Sequence, residues 1–415
     1  MVNSYAAWSC ISECLPGRLS IRQTCDRDRQ GAEVVPAGRW GVVTIAVSRC
    51  AGALRSAIIR YEATGVNPDI KCTSVDGLLT LLAIRGIGPR AAERLAKRFA
   101  TLGEVRDASP QQLARSLSKF ATGETWEDRV WERAYSRTRR IIEKAHQHSV
   151  RVLAASDQGY PSWLREIPDR PPVIYVKGTL PVGRRFVACI GTREPSLFGD
   201  RVTRRIALLL AERGWSIVSG LALGVDAVAH EAALAAHGHT VAVLANGLES
   251  VYPKRNASLA ARILDSGGAW LSESSFGTPA IPHNLIRRDR LQSGMSAGTI
   301  VMQTGLRGGS MHTVRFTLLQ GRKLFAPVPR GRHAEEEKSK GVLALTQRCG
   351  ADLGNLLEAQ GEYRRLLEEV YRDKPPAIPL NGHQDYSALV GHLNDALTVE
   401  SESREALAVS NPSLF

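Results

Sequence analysis

The sequence lacks the features of a membrane, secreted or metal-binding protein. No apolar run in its 415 residues approaches the ~18–20 residues that span a bilayer. Nor does the N-terminus carry a basic stretch followed by an apolar one, so we predict a cytoplasmic protein without a membrane partner. The 7 cysteines are irregularly spaced, odd in number and free of CxxC pairs. We therefore predict neither a disulfide framework nor a metal site.

The motifs that mark common nucleotide-using enzymes are absent too. There is no GxGxxG with a downstream acid and no GxxxxGK[ST] phosphate loop. Asp226 and His230 stand one helical turn apart, and we interpret them as a first-turn acid stabilised by the helix dipole and a structural histidine. No catalytic residue and no cofactor are predicted.

Charge is distributed unevenly along the chain. The formal net charge of +13 favours a polyanionic partner such as nucleic acid. From residue 331 onward there are 9 basic and 14 acidic side chains, a net of −5, so residues 1–330 carry +18. We therefore expect a polyanion to bind the first 330 residues and not the acidic C-terminal part.

Hydrophobic periodicity separates the first half of the chain into two parts. Residues 1–73 show no sustained helical or strand period and remain unassigned, with a disordered extension as one interpretation. In residues 74–150, apolar side chains recur at steps of three or four on both sides of Gly86-Ile87-Gly88-Pro89. This pattern predicts a helix, a tight turn and a helix, within a small all-α domain of the helix-hairpin-helix type.

Residues 151–330 alternate apolar strands with amphipathic helices after a proline-rich connector at 153–181. Strands are predicted at 173–176, 186–190, 216–219, 240–244, 269–272, 299–303 and 323–327. Helices are predicted at about 199–213, 225–237, 256–266, 287–295 and 309–320. The short turns imply parallel βαβ units, hence an α/β fold with an open, doubly wound, mostly parallel sheet. In residues 331–415 the sheet pattern stops, and we expect a helix at about 355–371 and an acidic tail.

In a sheet of this kind, ligands bind beyond the carboxyl ends of the strands, which we call the carboxyl edge. Four glycine-rich loops reach it, at 191–193, 219–226, 246–249 and 305–310, each near a helix N-terminus that favours an anion. A single glycine-rich loop has a structural explanation, because short turns often require glycine. Four such loops at one edge favour a phosphate site. The residues predicted to form it are Gly191, Thr192, Arg193, Ser219, Gly220, Gly224, Gly309 and Ser310.

A basic segment with an aromatic residue follows the strand predicted at 240–244. Lys254 and Arg255 come after Tyr252, a combination suited to neutralising a nucleic-acid backbone and stacking a base. The alternative interpretation is a turn at Pro253 with a helix N-cap at Asn256.

A second basic segment opens the helix before the strand predicted at 299–303. Arg287, Arg288 and Arg290 are expected near the carboxyl edge because of where this helix begins in the strand order. The alternative is a solvated helix face.

Segments that carry these loops occur in a characteristic order. They are IGTREPSLFG, SGLALGVDAVAH, HTVAVLANGLESVYPKRN, LSESSFGTP, RRDRLQSGMS and RGGSMHTVRFTLLQGRKLFAPVP. In this order they resemble the DNA-processing protein A (DprA/Smf) family. YPSWLREIPDRPPVIYVKGTL resembles the lead-in of that family, and GIGPRAAERLAKRF resembles a helix-hairpin-helix. The resemblance covers residues 74–328.

This resemblance implies an extended Rossmann-like domain that binds single-stranded DNA as a homodimer. It also implies that the DNA passes to a RecA-type recombinase in natural transformation and recombination, without catalysis. By the same resemblance, Arg193 in the family's G-S-R motif, Lys254 in its Y-P-K segment, and Arg288 and Arg290 in its R-N-R motif contact DNA. Arg193, just beyond a buried strand, is accordingly expected to hold a DNA phosphate.

The chain departs from the family pattern at several positions. Asp289 stands between the two arginines of the R-N-R motif, Gln303 replaces a common acid, and Gly308 begins the segment that replaces S-G-S-L. Asp289 either weakens an anion site by repulsion or pairs with one arginine and orients the other. These departures leave open a family member with another task, such as a response to foreign DNA.

Two other functions are compatible with the sequence. One is a nucleotide-binding sensor or hydrolase on the same fold. Against hydrolysis, RGGSMHTVR lacks the proline and the catalytic glutamate of the nucleoside-monophosphate hydrolase loop, and Glu273 is the one acid placed to replace that glutamate. The other is a scaffold that binds a protein partner through the carboxyl edge or the tail. In the hairpin, backbone beside Gly86 and Gly88 either approaches a duplex phosphate or only packs helices.

Overall fold

The chain divides into two compact units, Met1–Arg140 and Ile141–Phe415. The computed structural model describes residues 20–23, 41–50, 53–61, 67–117, 127–181, 183 and 185–410. In the first unit, β1 (Ser20–Gln23), β2 (Gly41–Cys50) and β3 (Ala53–Tyr61) form an antiparallel sheet in the order β1-β3-β2. The sequence leaves residues 1–73 unassigned, and these three strands lie within them; the rest of residues 1–66 lies outside the described residues.

The helical part of the first unit begins where the sequence predicts. Ser74 caps the first helix, since its hydroxyl accepts the N–H of Gly77 at 3.1 Å. The helices are α1 (Val75–Ala83), α2 (Pro89–Arg98), α3 (Leu102–Asp107), α4 (Pro110–Ala114) and α5 (Asp128–Gln147). Leu81, Leu95 and Trp131 are buried in their common core. The predicted helix, turn and helix are therefore present.

The second unit is built on one large sheet. Its strands are β4 (Val150–Ala154), β5 (Val173–Gly178), β6 (Phe186–Ile190), β7 (Ser216–Ser219), β8 (Thr240–Val243), β9 (Ala269–Ser272), β10 (Gly298–Val301), β11 (Lys323–Pro327) and β12 (Ile378–Leu380). In the described chain they pair in the order β12-β11-β10-β6-β7-β8-β9-β5-β4. β5 is antiparallel to both neighbours, and the other pairings are parallel. The predicted α/β fold with a mostly parallel, doubly wound sheet is confirmed.

Helices cover both faces of this sheet. They are α6 (Ser162–Glu166), α7 (Leu197–Glu212), α8 (Val225–Ala235), α9 (Ala257–Asp265), α10 (Pro282–Gly294), α11 (Ser310–Leu319), α12 (Arg332–Glu335), α13 (Lys340–Gln347), α14 (Gly350–Leu356), α15 (Gly361–Glu369) and α16 (Tyr386–Ser410). No helix in the described part of the chain is long and apolar enough to cross a membrane.

The side-chain alternation of β6 shows how the core is divided. Val187 and Cys189 face one core, which includes Trp215. Phe186 and Ile190 point to the opposite face and join two further clusters there. A strand buried on both faces has a continuous run of apolar residues in the sequence. For this reason the bounds of β6 were predicted correctly.

Three predictions outside the central strands are wrong. The proline-rich connector contains α6, and β4 overlaps its start. The sheet does continue beyond residue 330, because β12 extends it beside β11. The single helix expected at 355–371 is divided between α14 and α15, and α16 occupies the predicted tail. β12 escaped prediction because its three residues lie in a proline-rich stretch without alternation.

Candidate functional site

The loops after β6 and β7 are packed against each other at the carboxyl edge. A Cβ on Gly191 would lie 2.6 Å from a methyl group of Val225. Gly224 has φ +78°, and a Cβ there would lie 2.4 Å from the carbonyl oxygen of Arg193. The N–H of Val225 donates to the carbonyl of Thr192 at 3.1 Å. These two glycines therefore let the first turn of α8 approach the backbone that carries Arg193.

Arg288 is a buried clamp that joins two loops. Its Nη1 donates to the carbonyl oxygen of Gly220 at 2.7 Å and also to that of Val243 at the end of β8. Its Nε donates to Oδ1 of Asp289 at 3.1 Å, and the side chain is only 7% exposed. A Cβ on Gly220 would lie 2.3 Å from Nη1, so the guanidinium fits only beside glycine.

Asp226 fixes the β7 loop from the other side. Its Oδ2 accepts the N–H of Gly220 at 3.1 Å and that of Ala222 at 3.2 Å. Burial raises the pKa of Asp226, and the positive charge of Arg288 opposes this shift. The carboxylate thus serves as an acceptor for loop N–H groups, in agreement with the structural interpretation of this acid.

Arg290 is also held inside the protein. Its Nη1 and Nη2 donate to the two carboxylate oxygens of Glu273 at 2.9 and 2.8 Å, and its Nε lies 3.0 Å from Oδ2 of Asp169. Arg287, one turn earlier in α10 and more exposed, donates to Glu273 as well, at 2.9 Å. The sequence placed these arginines near the edge but missed their acidic partners, although the spacing of three residues signals a shared helix face.

A small pocket lies between the β6, β7 and β8 loops and the start of α10. Its volume is about 90 Å³, and it is lined by Arg193, Gly220, Ala222, Leu223, Ala245, Tyr252, Pro253, Leu285 and Arg288. Arg193 is exposed, and Tyr252 is 44% exposed. Within the described residues neither side chain has a hydrogen-bond or ion-pair partner. The pocket therefore combines an exposed arginine and an exposed aromatic ring with the buried guanidinium of Arg288 and several apolar side chains.

The segment after β8 is tied to the pocket by Asn256. This buried side chain donates from Nδ2 to the carbonyl oxygens of Leu221 at 2.8 Å and Ala222 at 3.1 Å. Asn256 does precede α9, but its side chain makes no capping bond to that helix. Lys254 and Arg255 are exposed immediately before it, so the loop presents two cations beside Tyr252.

The crevice between β6 and β10, where the strand order reverses, is filled rather than open. Gln303 is buried there: its Oε1 accepts the N–H of Ser196 at 2.9 Å, and its Nε2 donates to Glu336 and Ser339 at 3.0 Å each. The residue that replaces the family's acid therefore bridges the β6 loop to the segment after β11. The pocket lies beside this crevice, between β6 and β8.

The predicted site residues are thus only partly brought together. Arg193, Gly220 and Arg288 line one pocket, whereas Ser219 is buried and donates to the carbonyl of Cys189 at 2.6 Å. Other predicted positions, Gly309 and Ser310, lie at the N-terminus of α11 and do not line the pocket. Leu285 and Ala245 complete the pocket wall and carry no signal in the sequence besides being apolar.

The hairpin of the first unit has an exposed basic surface. Gly86 has φ +89°, a conformation that favours glycine, whereas a Cβ on Gly88 would meet no atom within 4 Å. Arg85, Arg90 and Lys97 are exposed around it. The fold requires the first glycine for its turn and leaves the second without a packing role.

Fold and site together define an α/β protein with a pocket lined by two arginines at the carboxyl edge of a doubly wound sheet. No group of three or more potential metal ligands occurs among the described residues. The family model described as DNA recombination-mediator protein A matches residues 151–384, and the chain belongs to this family. The resemblance drawn from the sequence motifs is confirmed.

Curated relatives and a solved structure agree with this assignment. The chain is 41% identical to the protein Smf of Escherichia coli over 197 residues, which are 47% of this chain and 52% of that protein. It is 34% identical to the DNA processing protein DprA of Bacillus subtilis over 197 residues, 47% of this chain and 66% of that protein. The chain thus covers less than two thirds of either relative.

The X-ray structure of DNA processing protein A from Streptococcus pneumoniae aligns with a TM-score of 0.53 and 28% identity, covering 66% of this chain and 92% of that one. The solved structure supports the extended Rossmann-like fold.

Proposed function

We propose that the chain binds single-stranded DNA at the carboxyl edge without catalysis and delivers it to a RecA-type recombinase. The observation that carries this proposal is the pocket. Among the described residues, the side chains of Arg193 and Tyr252 have no hydrogen-bond or ion-pair partner there, and the buried guanidinium of Arg288 lines the same pocket. A phosphate is held by Arg193, while Tyr252 offers a ring face for a base. Such a site binds single strands with little sequence preference and strong salt dependence.

The remaining predicted contacts take different roles in this proposal. Lys254 and Arg255 neutralise neighbouring phosphates, since both are exposed next to Tyr252. Arg288 contributes its charge from beneath the pocket. Arg290 positions α10 through Glu273 and Asp169 rather than contacting phosphate, because its guanidinium is already bonded on both edges.

The same contacts argue against the nucleotide-hydrolase alternative. Both carboxylate oxygens of Glu273 accept hydrogen bonds from Arg290, and Oε2 accepts another from Arg287. Both oxygens are therefore occupied by guanidinium donors, and Glu273 is not among the residues that line the pocket. We therefore assign Glu273 a structural role.

The family resemblance supplies the wider setting of this proposal. We propose a cytoplasmic protein that acts as a homodimer in DNA uptake or recombination. Sedimentation of the full chain tests the dimer. A strand-exchange assay with a RecA-type recombinase tests delivery: the chain should shorten the lag before filament growth on single-stranded DNA coated with a binding protein.

The binding site itself is tested by fluorescence anisotropy with labelled oligo(dT) and the matching duplex. Arg193→Ala should weaken binding of the single strand roughly ten- to hundredfold, as expected for loss of one hydrogen-bonded charge. It should also make the slope of log K against log salt about 0.7 less negative, the value of one phosphate contact. Arg213→Ala removes an exposed arginine at the opposite edge and is the matched control. Equal affinities for wild type and Arg193→Ala would refute the assignment.

A further inference from the structure

Two carboxyl groups face one guanidinium beneath the pocket. Asp289 accepts from Nε of Arg288 at 3.1 Å and from Nε2 of Gln292 at 3.0 Å, and its side chain is 13% exposed. Asp226, on α8, is close enough to Arg288 for its carboxyl group to feel that positive charge, and it binds the β7 loop. With both carboxyl groups ionised, the cluster is negative by one charge.

Among the described residues, no further charged group acts on Asp289 to correct this imbalance. His230, on α8, is fully buried and bonded through Nδ1 to the hydroxyl of Thr240 at 2.7 Å. Burial and the nearby Arg288 lower the pKa of His230 to about 3, so the ring is neutral. The groups that face Asp289 are thus Arg288 and Gln292 on its own helix and Asp226 on α8.

The surroundings of Asp289 favour its protonated form more than water does. Burial raises its pKa to about 6, with the charge of Asp226 adding to the shift and Arg288 opposing it. The amide of Gln292 suits either form: its Nε2 donates to the carboxylate, while its buried Oε1 has no partner in the described structure. Rotation of this amide would let Oε1 accept a hydrogen bond from the O–H of a neutral Asp289.

We propose that Asp289 is a positioning residue that sets the charge of the pocket, and so the affinity for the DNA strand that the proposed function places there. Ionised Asp289 offsets Arg288 and holds its guanidinium toward the helix. Neutral Asp289, or asparagine in its place, leaves the charge of Arg288 to attract phosphate. The sequence left two roles open for Asp289, which were pairing with an arginine and weakening an anion site. In this proposal the carboxylate has both roles, because its pairing with Arg288 reduces the positive charge available to a phosphate.

Binding of an anion favours the protonated form of Asp289, so linkage sets the direction of the pH effect. With a pKa of about 6, the group is largely ionised above pH 7 and largely protonated below pH 5. Affinity for the strand should therefore rise as the pH falls through this window. Oligo(dT) is the suitable probe, because thymine has no group that titrates there.

The test is anisotropy of labelled oligo(dT) with wild type, Asp289→Asn and Asp265→Asn, at pH 5, 6, 7 and 8 and constant ionic strength. Asp265 is exposed at the far end of α9, so its exchange removes one charge away from the pocket. Asp289→Asn should bind roughly tenfold more tightly at pH 8, the scale of one neighbouring charge at partial screening. It should also bind with less change in affinity between pH 5 and pH 8 than wild type, while Asp265→Asn follows wild type.

The outcomes separate this proposal from the proposed function. If wild type does not bind oligo(dT) at any pH, the proposed function fails. If wild type binds but Asp289→Asn keeps its affinity and its pH profile, the role of Asp289 is refuted. If Asp289→Asn does not fold, the pH dependence of oligo(dT) binding by wild type decides. A wild-type affinity that does not change between pH 5 and pH 8 overturns the proposal.

Discussion

Replacing Gly220 by alanine tests whether Arg288 is held as the structure shows. A Cβ at this position would lie 2.3 Å from Nη1, 2.6 Å from Cζ and 2.6 Å from Nη2 of Arg288. The guanidinium cannot stay, because carbon and nitrogen atoms in contact need about 3.5 Å. It must leave the carbonyl oxygens of Gly220 and Val243, to which it donates.

The expected loss of stability follows from the two hydrogen bonds that Arg288 donates to these carbonyl oxygens. A hydrogen bond from a charged group contributes about 1.5–3 kcal/mol, and partial relaxation leaves an expected destabilisation of about 3 kcal/mol for Gly220→Ala. For a unit of this size we expect Tm to fall by roughly 6–12 °C. The assay is thermal unfolding followed by circular dichroism, with urea unfolding for the free energy.

Gly309→Ala is the matched control for this exchange. A Cβ there would meet no atom within 4 Å, and the residue has φ −55° at the start of α11. Its stability should equal or slightly exceed that of wild type. A Gly220→Ala variant as stable as wild type would refute the claim that the hydrogen bonds of buried Arg288 to the carbonyl oxygens of Gly220 and Val243 stabilise the fold.

The remaining predictions concern the second arginine of α10 and the hairpin of the first unit. Arg290→Ala leaves the buried carboxylate of Glu273 without its bidentate partner and should cost about 3–5 kcal/mol of unfolding free energy, whereas Arg193→Ala should change it by less than about 0.5 kcal/mol. Equal urea midpoints for the two variants would contradict their different burial. Gly86→Ala should destabilise the first unit by roughly 1–2 kcal/mol because of its positive φ, while Gly88→Ala should be near neutral in the same unfolding assay.

The sequence predicts the central strands with high accuracy for a physical reason. The bounds of β6, β7, β9 and β11 agree with the predicted ranges, since each is a short apolar run closed by turn residues. α10 was predicted from residue 287 but begins at Pro282, where proline occupies the first turn. β12 and α6 are too short to show a period.

The candidate site is predictable only in part, because burial of a charged side chain depends on distant partners. The sequence places Arg193 and Arg288 at one edge, and both line the pocket. It cannot show that Arg288 is clamped by carbonyl groups 68 and 45 residues away in the chain, or that Arg290 is bonded to an acid 17 residues earlier. The distinction between free and committed arginines therefore emerges only from the folded structure.

The central claim, that single-stranded DNA occupies the pocket at the carboxyl edge, is tested most directly by photo-crosslinking. Oligo(dT) that carries one 4-thiothymidine is bound to the full chain, irradiated and mapped by mass spectrometry. We predict cross-links in the peptides that carry Arg193 and Tyr252, and their loss when unlabelled oligo(dT) competes. Cross-links confined to the opposite edge, around Arg213, or to the first unit would contradict the account.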